Sequence, residues 1–326
     1  MKALVCTKYG PPEVLQLQEV TKPTPQDSEV LIKVFATSVT TYDCWIRTAT
    51  APPGFGLLVR LSSGLTKPKQ AILGTELAGR IEAVGKDVTR LKPGDPVYGF
   101  AANLGAYAEY VCLPEAAVAP KPANATYEEA AAVLQGALTA WYFLRKANLQ
   151  SGQKVLVFGA SGGVGMYAVQ LARHLGATVT GVCSTSKMDL VKSLGVDHVI
   201  DYTQEDFIQS GEVYDVIFDT VGKTPILRSK KVLKPNGAYI FATFGVPLLI
   251  RMLWLSLTSN RKVVFGLLQE QTEDLLFLKE LIEAGKLKVA IDRVYPLEQA
   301  AEAHRYVEAG HKKGNVVITM AYDGAS

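Results

Sequence analysis

The segment Val155-Leu156-Val157-Phe158-Gly159-Ala160-Ser161-Gly162-Gly163-Val164-Gly165 has the residue types to hold a pyrophosphate. An apolar run gives way to a glycine-rich turn, and a helix-period pattern follows, with Val164, Ala168, Leu171 and Leu175 in phase. A helix that opens there points unpaired N–H groups and a positive dipole end at an anion. Gly162 lets the backbone approach the phosphates, and Gly165 lets helix and strand pack closely. Ala160 stands at the first glycine of the usual dinucleotide fingerprint. Ala160, Ser161, Gly162, Gly163 and Val164 are therefore candidate cofactor-binding residues. The plainer alternative is a tight strand-to-helix turn without ligand. The apolar strand before the turn and a second strand at 177–183 supply the context that the dinucleotide reading needs.

The tip of that second strand discriminates between nicotinamide cofactors. An NAD site carries an acidic residue there for the ribose 2′-hydroxyl. This chain instead reads Val182-Cys183-Ser184-Thr185-Ser186-Lys187, with no carboxylate. Ser184 and Lys187 can meet a 2′-phosphate through charge-assisted hydrogen bonds, and Tyr202, after the third strand, can reach the same group. NADPH is the expected cofactor. The alternative for Lys187 is an ordinary solvated lysine near a helix start.

These residues need a scaffold. The 326 residues, 48% hydrophobic and 20% charged, suffice for more than one core, so two domains are expected. A net charge of +3 from 34 basic and 31 acidic residues gives no argument for nucleic acid. Cys6, Cys44, Cys112 and Cys183 form no CxxC pair, which favours a reducing, cytoplasmic setting over a disulfide framework. The opening MKALVCTKYGPPEV shows no signal peptide or transit segment. The apolar run 247–257 (PLLIRMLWLSL) is too short to cross a bilayer. It reads as a buried segment, a substrate-pocket wall or a subunit contact.

Up to about Pro120 the chain reads as short strands between Gly/Pro turns, at 2–8, 29–38, 77–85, 96–100 and 106–113. Beyond it, a helix at 127–146 is followed by alternating strands (154–159, 177–183, 198–201, 214–220, 238–244) and helices (164–175, 187–194). That alternation predicts a parallel doubly wound sheet. Helices near 273–284 and 297–309 and a strand at 315–321 close the chain. The fold class is α/β.

Several landmarks occur in a characteristic order. They are the opening MKALVCTKYGPPEVL, Gly74-Thr75-Glu76-Leu77-Ala78-Gly79, Val84-Gly85, Lys92-Pro93-Gly94-Asp95-Pro96-Val97, Ala137-Leu138-Thr139-Ala140, the GASGGVG turn and Gly314-Asn315-Val316-Val317. Along nearly its whole length the chain resembles the medium-chain dehydrogenase/reductase superfamily, and within it the quinone oxidoreductase branch. Val199-Ile200-Asp201-Tyr202 and Gly310-His311-Lys312-Lys313-Gly314 are similar to the reticulon-interacting relatives of that branch. The resemblance implies a GroES-like, mostly β catalytic domain over 1–122 and 269–326, and a Rossmann NADP-binding domain over 123–268. It also implies cofactor contacts at Thr139, Phe244 and Asn315.

The zinc enzymes of the superfamily hold their metal with Cys, His, Glu and Cys. By motif position these are Thr40, Thr75, Glu76 and Gln135 here, and the structural-zinc loop is missing. One carboxylate is too few ligands for catalytic zinc. The resemblance therefore implies metal-free hydride transfer to an activated acceptor, a quinone or an α,β-unsaturated carbonyl, with hydrogen-bond donors meeting the charge that develops on oxygen. Thr40-Thr41-Tyr42-Asp43 supplies the catalytic candidates, Tyr42 and Asp43. Tyr42 takes the place of the zinc enzymes' proton-relaying hydroxyl, though a purely structural tyrosine fits the sequence equally. Asp43 matches an aspartate usual in quinone oxidoreductases, but the Asn-Pro that commonly precedes it there is Thr40-Thr41 here. Cys44 reads as a small buried residue without partners, and His174 and His304 as surface or satisfied side chains. Asn103 and Gln135 are further cleft candidates.

The resemblance also implies a homodimer formed through residues 262–267. The run 247–257 leaves peripheral membrane contact open, and no transmembrane segment or nucleic-acid partner is expected. Two other functions remain open at this level: a 2-enoyl thioester reductase, and an NADPH-binding sensor or partner protein with little catalysis.

Overall fold

Val, Ile and Phe crowd Glu29–Val39, an 11-residue strand that is buried over most of its length. β-branched and aromatic residues favour this pleated, covered surface. The structure is a computed structural model that describes residues 1–50, 53–243, 245–266, 268, 271–310 and 312–320. Contacts group the chain into two units. Met1–Ala51, Gly56–Gln135 and Glu270–Ser326 form the first, and Pro52–Phe55 with Gly136–Gln269 form the second.

In the first unit Glu29–Val39 is central. One side pairs antiparallel with Glu76–Val84, which continues to Pro96–Phe100 and Val118–Pro120. The other side takes Asn315–Thr319 along one half and Tyr110–Pro114 along the other. Ile291–Pro296 adds in parallel beyond Asn315–Thr319. Lys2–Cys6 and Leu15–Glu19 form a separate antiparallel pair. Leu4, Ile32, Val34, Leu77, Val97, Val316 and Ile318 fill one core, and Ala303 and Val307 of the helix Ala300–Glu308 complete it. This is the GroES-like, mostly β architecture.

The second unit holds a six-stranded parallel sheet. Its strands run in the order His198–Asp201, Thr178–Cys183, Lys154–Phe158, Tyr214–Asp219, Leu233–Phe241 and Lys262–Val264. Strand order reverses between Lys154–Phe158 and Tyr214–Asp219, which is where a doubly wound sheet opens a ligand crevice. The Rossmann expectation is met. A core of Leu156, Val182, Ile217, Tyr239 and Phe241 is closed by Met252 and Leu255.

Several boundaries differ from the sequence expectation, for identifiable reasons. The helix expected over 127–146 is two, Tyr127–Ala132 and Leu134–Lys146. At the junction the Gln135 N–H donates to the Glu76 carboxyl, which diverts it from the helical ladder. The strand expected over 106–113 is confined to Tyr110–Pro114, because the Tyr107 N–H turns to the carbonyl of Leu73 and the Tyr107 carbonyl accepts from Leu4. The strand expected over 238–244 begins earlier, as Leu233–Phe241. Run 247–257 is not a buried segment. It lies in the helix Val246–Thr258, of which Met252 and Leu255 are buried while Ile250, Leu253, Trp254 and Leu257 are exposed. Pro247 at the first turn is compatible with this helix, since its missing N–H would have no intrahelical partner.

The glycine-rich turn is the tightest point of the second unit. Gly159 has φ +81, and a Cβ on Gly165 would fall 2.0 Å from the Gly159 carbonyl oxygen. Gly165→Ala should therefore cost about 1–3 kcal/mol. Gly56→Ala, whose Cβ meets nothing within 4 Å, should not destabilise. Thermal unfolding of both variants checks this, and equal midpoints would mean that the turn relaxes freely.

Candidate functional site

In the second unit the residues expected to hold a cofactor converge on the carboxyl ends of the strands. The N–H groups of Gly159 and Ala160 both donate to the Val182 carbonyl, which fastens the glycine-rich turn to the end of Thr178–Cys183. The helix Gly165–His174 that follows has no side chain capping its start. In its first turn the Met166 N–H donates to the Gly162 carbonyl. An uncapped helix start after a glycine-rich turn fits a pyrophosphate. Ala160 is buried, while Ser161, Gly162, Gly163 and Val164 are partly exposed.

Thr139 lies one turn beyond Gly136 on Leu134–Lys146. A Cβ on Gly136 would fall 2.3 Å from the Gly163 carbonyl oxygen, so only glycine lets this helix approach the turn so closely. Cys183 pairs with Asp201, and the Tyr202 N–H donates to the Cys183 carbonyl, which sets Ser184 beside Tyr202. Tyr202 is exposed, and its ring lies 6.3 Å from that of Phe158. Lys187 ends the short 3-10 turn that follows Ser184. Phe244 lies outside the described residues.

One carboxylate does stand near this edge. Asp201, which the sequence reading used only as a family landmark, accepts from the Thr185 hydroxyl and from the Thr203 hydroxyl and N–H. The Thr185 hydrogen bond is the leading cause that holds its pKa below the usual value.

In the first unit Thr40 caps the helix Thr41–Thr48. The Asp43 N–H donates to the Thr40 hydroxyl oxygen, while the Thr40 N–H (2.8 Å) and hydroxyl (2.6 Å) donate to Asp43 Oδ2. Thr-x-x-Asp here works as a reciprocal capping box. Asp43 is fully buried, and burial pushes its carboxyl up to about 6 against the pull of Thr40. Among the described residues its Oδ1 has no hydrogen-bond partner. Tyr42, one residue earlier, is 45% exposed. The structure thus separates the two catalytic candidates: Tyr42 is presented outward, and Asp43 points inward to hold the turn.

Glu76 is buried. The Ser38 hydroxyl donates to its Oε2 and the Gln135 N–H to its Oε1. Burial pushes the Glu76 carboxyl up to about 8; the Asp43 charge adds to the rise, and the Gln135 N–H and Lys312 oppose it. Desolvation therefore outweighs the Gln135 hydrogen bond. The Thr75 hydroxyl beside it is buried with no partner among the described residues. Of the four zinc-ligand positions, Glu76 is committed to two donors, Thr40 to the cap, and Thr75 and Gln135 bring no anionic or imidazole ligand. This donor set does not fit zinc.

Sequence reasoning missed two features of this unit. Lys312 has its pKa lowered by burial, while Glu76, Cys44, Asp292 and Asp43 act to raise it. The motif that carries it was used only as a family landmark. His304 is fully buried, not a surface residue, and Cys44 is not partnerless: its Sγ lies 3.5 Å from His304 Nδ1. The buried Arg47 donates from Nε to the same nitrogen and from its other nitrogens to Gly10 O and Glu308. Burial, aided by Arg47, drives His304 down to about 3, so the imidazole is neutral. Burial pushes the Cys44 thiol up to about 12, which leaves it unreactive. The signal was the apolar phase of Ala300, Ala303 and Val307, which turns His304 inward. Asn315 is buried, with its side-chain amide 3.3 Å from the Ala290 carbonyl oxygen. Asn103 is exposed.

Glu76 binds its proton more tightly folded than unfolded. Its contribution to stability is complete below pH 4.5 and is lost as pH rises through about 8; that of Asp43 is complete below 3.8 and lost through about 6. Each pKa unit is worth about 1.4 kcal/mol. Glu76→Gln, which keeps an acceptor and offers Ser38 a donor, should flatten the upper part of the stability–pH curve. Denaturant titrations of both proteins across that range check this, and parallel curves would place the Glu76 pKa near its ordinary value.

Comparison with known proteins agrees with this architecture. Residues 26–123 match the alcohol dehydrogenase GroES-like domain family, and residues 194–318 match the zinc-binding dehydrogenase family. The 2-methylene-furan-3-one reductase of Solanum lycopersicum is 35% identical, with 98% of this chain and 79% of the relative covered. The mitochondrial NAD(P)H oxidoreductase RTN4IP1 of Mus musculus is 32% identical over 98% of this chain and 89% of its own. The Escherichia coli quinone oxidoreductase solved with NADPH superposes with a TM-score of 0.83 at 29% identity, covering 98% of this chain and all of that one. The chain belongs to the medium-chain dehydrogenase/reductase superfamily, among its quinone oxidoreductases.

Proposed function

We propose that this protein reduces quinones or α,β-unsaturated carbonyl compounds with hydride from NADPH, without a metal. The observation that carries the cofactor choice is the edge formed by Ser184, Lys187 and Tyr202. The one acid there, Asp201, is already satisfied by three donors from Thr185 and Thr203. It has little left to offer a ribose diol, whereas hydroxyls and an ammonium suit a phosphate. Ala160, Ser161, Gly162, Gly163 and Val164 would hold the pyrophosphate, with Thr139 beside them.

A bound nicotinamide supplies the hydride. The chain's own residues then have two tasks: to meet negative charge on the acceptor oxygen and to deliver a proton. Tyr42, exposed at the start of its helix, is the donor we assign to that oxygen. Asp43 is a positioning residue, because its carboxylate fixes Thr40 and so the first turn that presents Tyr42. The misfit of Thr40, Thr75, Glu76 and Gln135 to zinc supports the metal-free route, which needs an acceptor already activated toward hydride. The names of the tomato reductase and the E. coli quinone oxidoreductase support that acceptor class.

We assign residues 1–122 and 269–326 to catalysis and 123–268 to cofactor binding. A homodimer is the assembly we favour. Lys262–Val264 ends the parallel sheet with no further strand paired among the described residues, and an uncovered edge invites a second copy. All four cysteines are free thiols, which supports a reducing compartment such as the cytoplasm.

NADPH oxidation against 1,4-benzoquinone, 9,10-phenanthrenequinone, acrolein and trans-2-hexenal, with NADH in parallel, tests the reading. Turnover with NADPH preferred is expected. NADPH binding without turnover on any acceptor would favour a sensor or partner role. Lys187→Ala should raise KM for NADPH about 10- to 100-fold, the worth of one charged hydrogen bond, and leave KM for NADH unchanged. Equal effects on both cofactors would remove Lys187 from the 2′-phosphate site. Tyr42→Phe should lower kcat roughly hundredfold with little change in KM. An unchanged kcat would assign proton delivery elsewhere.

A further inference from the structure

The helix Val246–Thr258 exposes what its sequence would normally bury. Ile250, Leu253, Trp254 and Leu257 are 62%, 50%, 55% and 87% exposed. Their spacing of three, four and seven residues from Ile250 places all four on one face. The opposite face, through Met252 and Leu255, is sunk in the core of the parallel-sheet unit, so the stripe is held outward by the fold. Singly exposed apolar residues are ordinary, but a continuous stripe marks a contact surface.

Charge selects the occupant. From residue 246 to residue 268 the sequence contains Arg251, Arg261 and Lys262 and no Asp or Glu. Arg251 is exposed within the stripe's own turns, and Lys262 is exposed just past the helix end. Arg261 donates to the carbonyls of Lys230 and Leu233, which brings the chain at Lys230 and Lys231 to the same end of the helix. A second copy docking this helix face on itself across a two-fold axis would set Arg251 against its own equivalent, with no acid in the helix to offset it. An anionic lipid surface meets both demands, because it takes the leucines and tryptophan into the acyl boundary and the cations at the headgroups. The helix has 13 residues, too few to cross a bilayer, and among the described residues no helix is long and apolar enough to do so. A helix of this kind lies in the membrane plane, with tryptophan at the interface.

We propose that the helix Val246–Thr258 docks the protein on anionic membrane surfaces through Ile250, Leu253, Trp254 and Leu257, flanked by Arg251 and Lys262. Docking does not depend on turnover, so it stands or falls separately from the reductase reading. If both hold, docking would bring the enzyme to lipid-dissolved quinones or enones.

The test is co-sedimentation of the full chain with phosphatidylglycerol-containing vesicles and with pure phosphatidylcholine vesicles. Light scattering of the free protein is measured alongside. Binding to the anionic vesicles is expected, much weaker on the zwitterionic ones, and reduced by salt. The double variant Leu253→Glu/Leu257→Glu should lose about tenfold or more of the binding. Its thermal unfolding should match the parent, since both side chains are already exposed. Arg251→Glu keeps the apolar stripe intact and should weaken only the preference for anionic lipid, which guards against misfolding of the double variant. The proposal is overturned if the parent binds neither vesicle type, or if Arg251→Glu and the double variant bind as well as the parent. It is also overturned if the double variant breaks an oligomer while no vesicle binding is seen, which would make the occupant a second copy.

Discussion

The Glu76 carboxyl joins segments that are distant in sequence. It takes the hydroxyl of Ser38, from the central strand Glu29–Val39, and the N–H of Gln135, at the start of Leu134–Lys146. Its own carbonyl accepts from the Thr37 hydroxyl at 2.6 Å. Removing one partner of so buried a group leaves an uncompensated polar atom, which costs about 1–3 kcal/mol. The same contact breaks the helix expected over 127–146, while burial raises the Glu76 pKa to about 8 against the pull of the Gln135 N–H. A position that carries a metal ligand in the zinc enzymes has become an internal fastening.

Around it lies a region where burial, more than direct pairing, sets the charge states. Asp43 and Glu76 are both raised, His304 is held neutral and the Cys44 thiol is suppressed. Arg47 adds to the His304 shift and opposes that of Cys44. It satisfies His304 Nδ1 from Nε and links to Gly10 and Glu308 with its other nitrogens, so a fully buried cation is met on every branch of its fork. Asp43 Oδ1, Thr75 Oγ1 and His304 Nε2 find no partner among the described residues. A buried water is the usual partner for such atoms.

The parallel-sheet unit follows a different constraint, that of close backbone approach. Gly165 against the Gly159 carbonyl and Gly136 against the Gly163 carbonyl leave no room for a Cβ at either contact. Two helices are thereby drawn onto the turn at the carboxyl edge of the sheet. The exposed stripe on Val246–Thr258 stands apart from this economy of burial. Two of its apolar residues close the core, and four others are left to the surface.

The sequence by itself determined the parallel sheet, the glycine-rich turn and the missing acid after Cys183. Each depends on residues adjacent in the chain, where period and turn chemistry act locally. It also identified Tyr42 and Asp43 as a pair, but not that one faces outward and the other inward. That division arises from a capping box closed by Thr40, a pattern present in the sequence as Thr-x-x-Asp yet visible only when read as a cap. Tertiary structure alone decided the rest. Glu76 meets Ser38 and Gln135 across 38 and 59 residues, and Cys44 meets His304 across 260. The apolar run 247–257 reads as buried from composition, and only the packing of Met252 and Leu255 fixes which face is left outside. Burial is a property of neighbours distant in sequence, so protonation states and exposed faces cannot be read from local pattern.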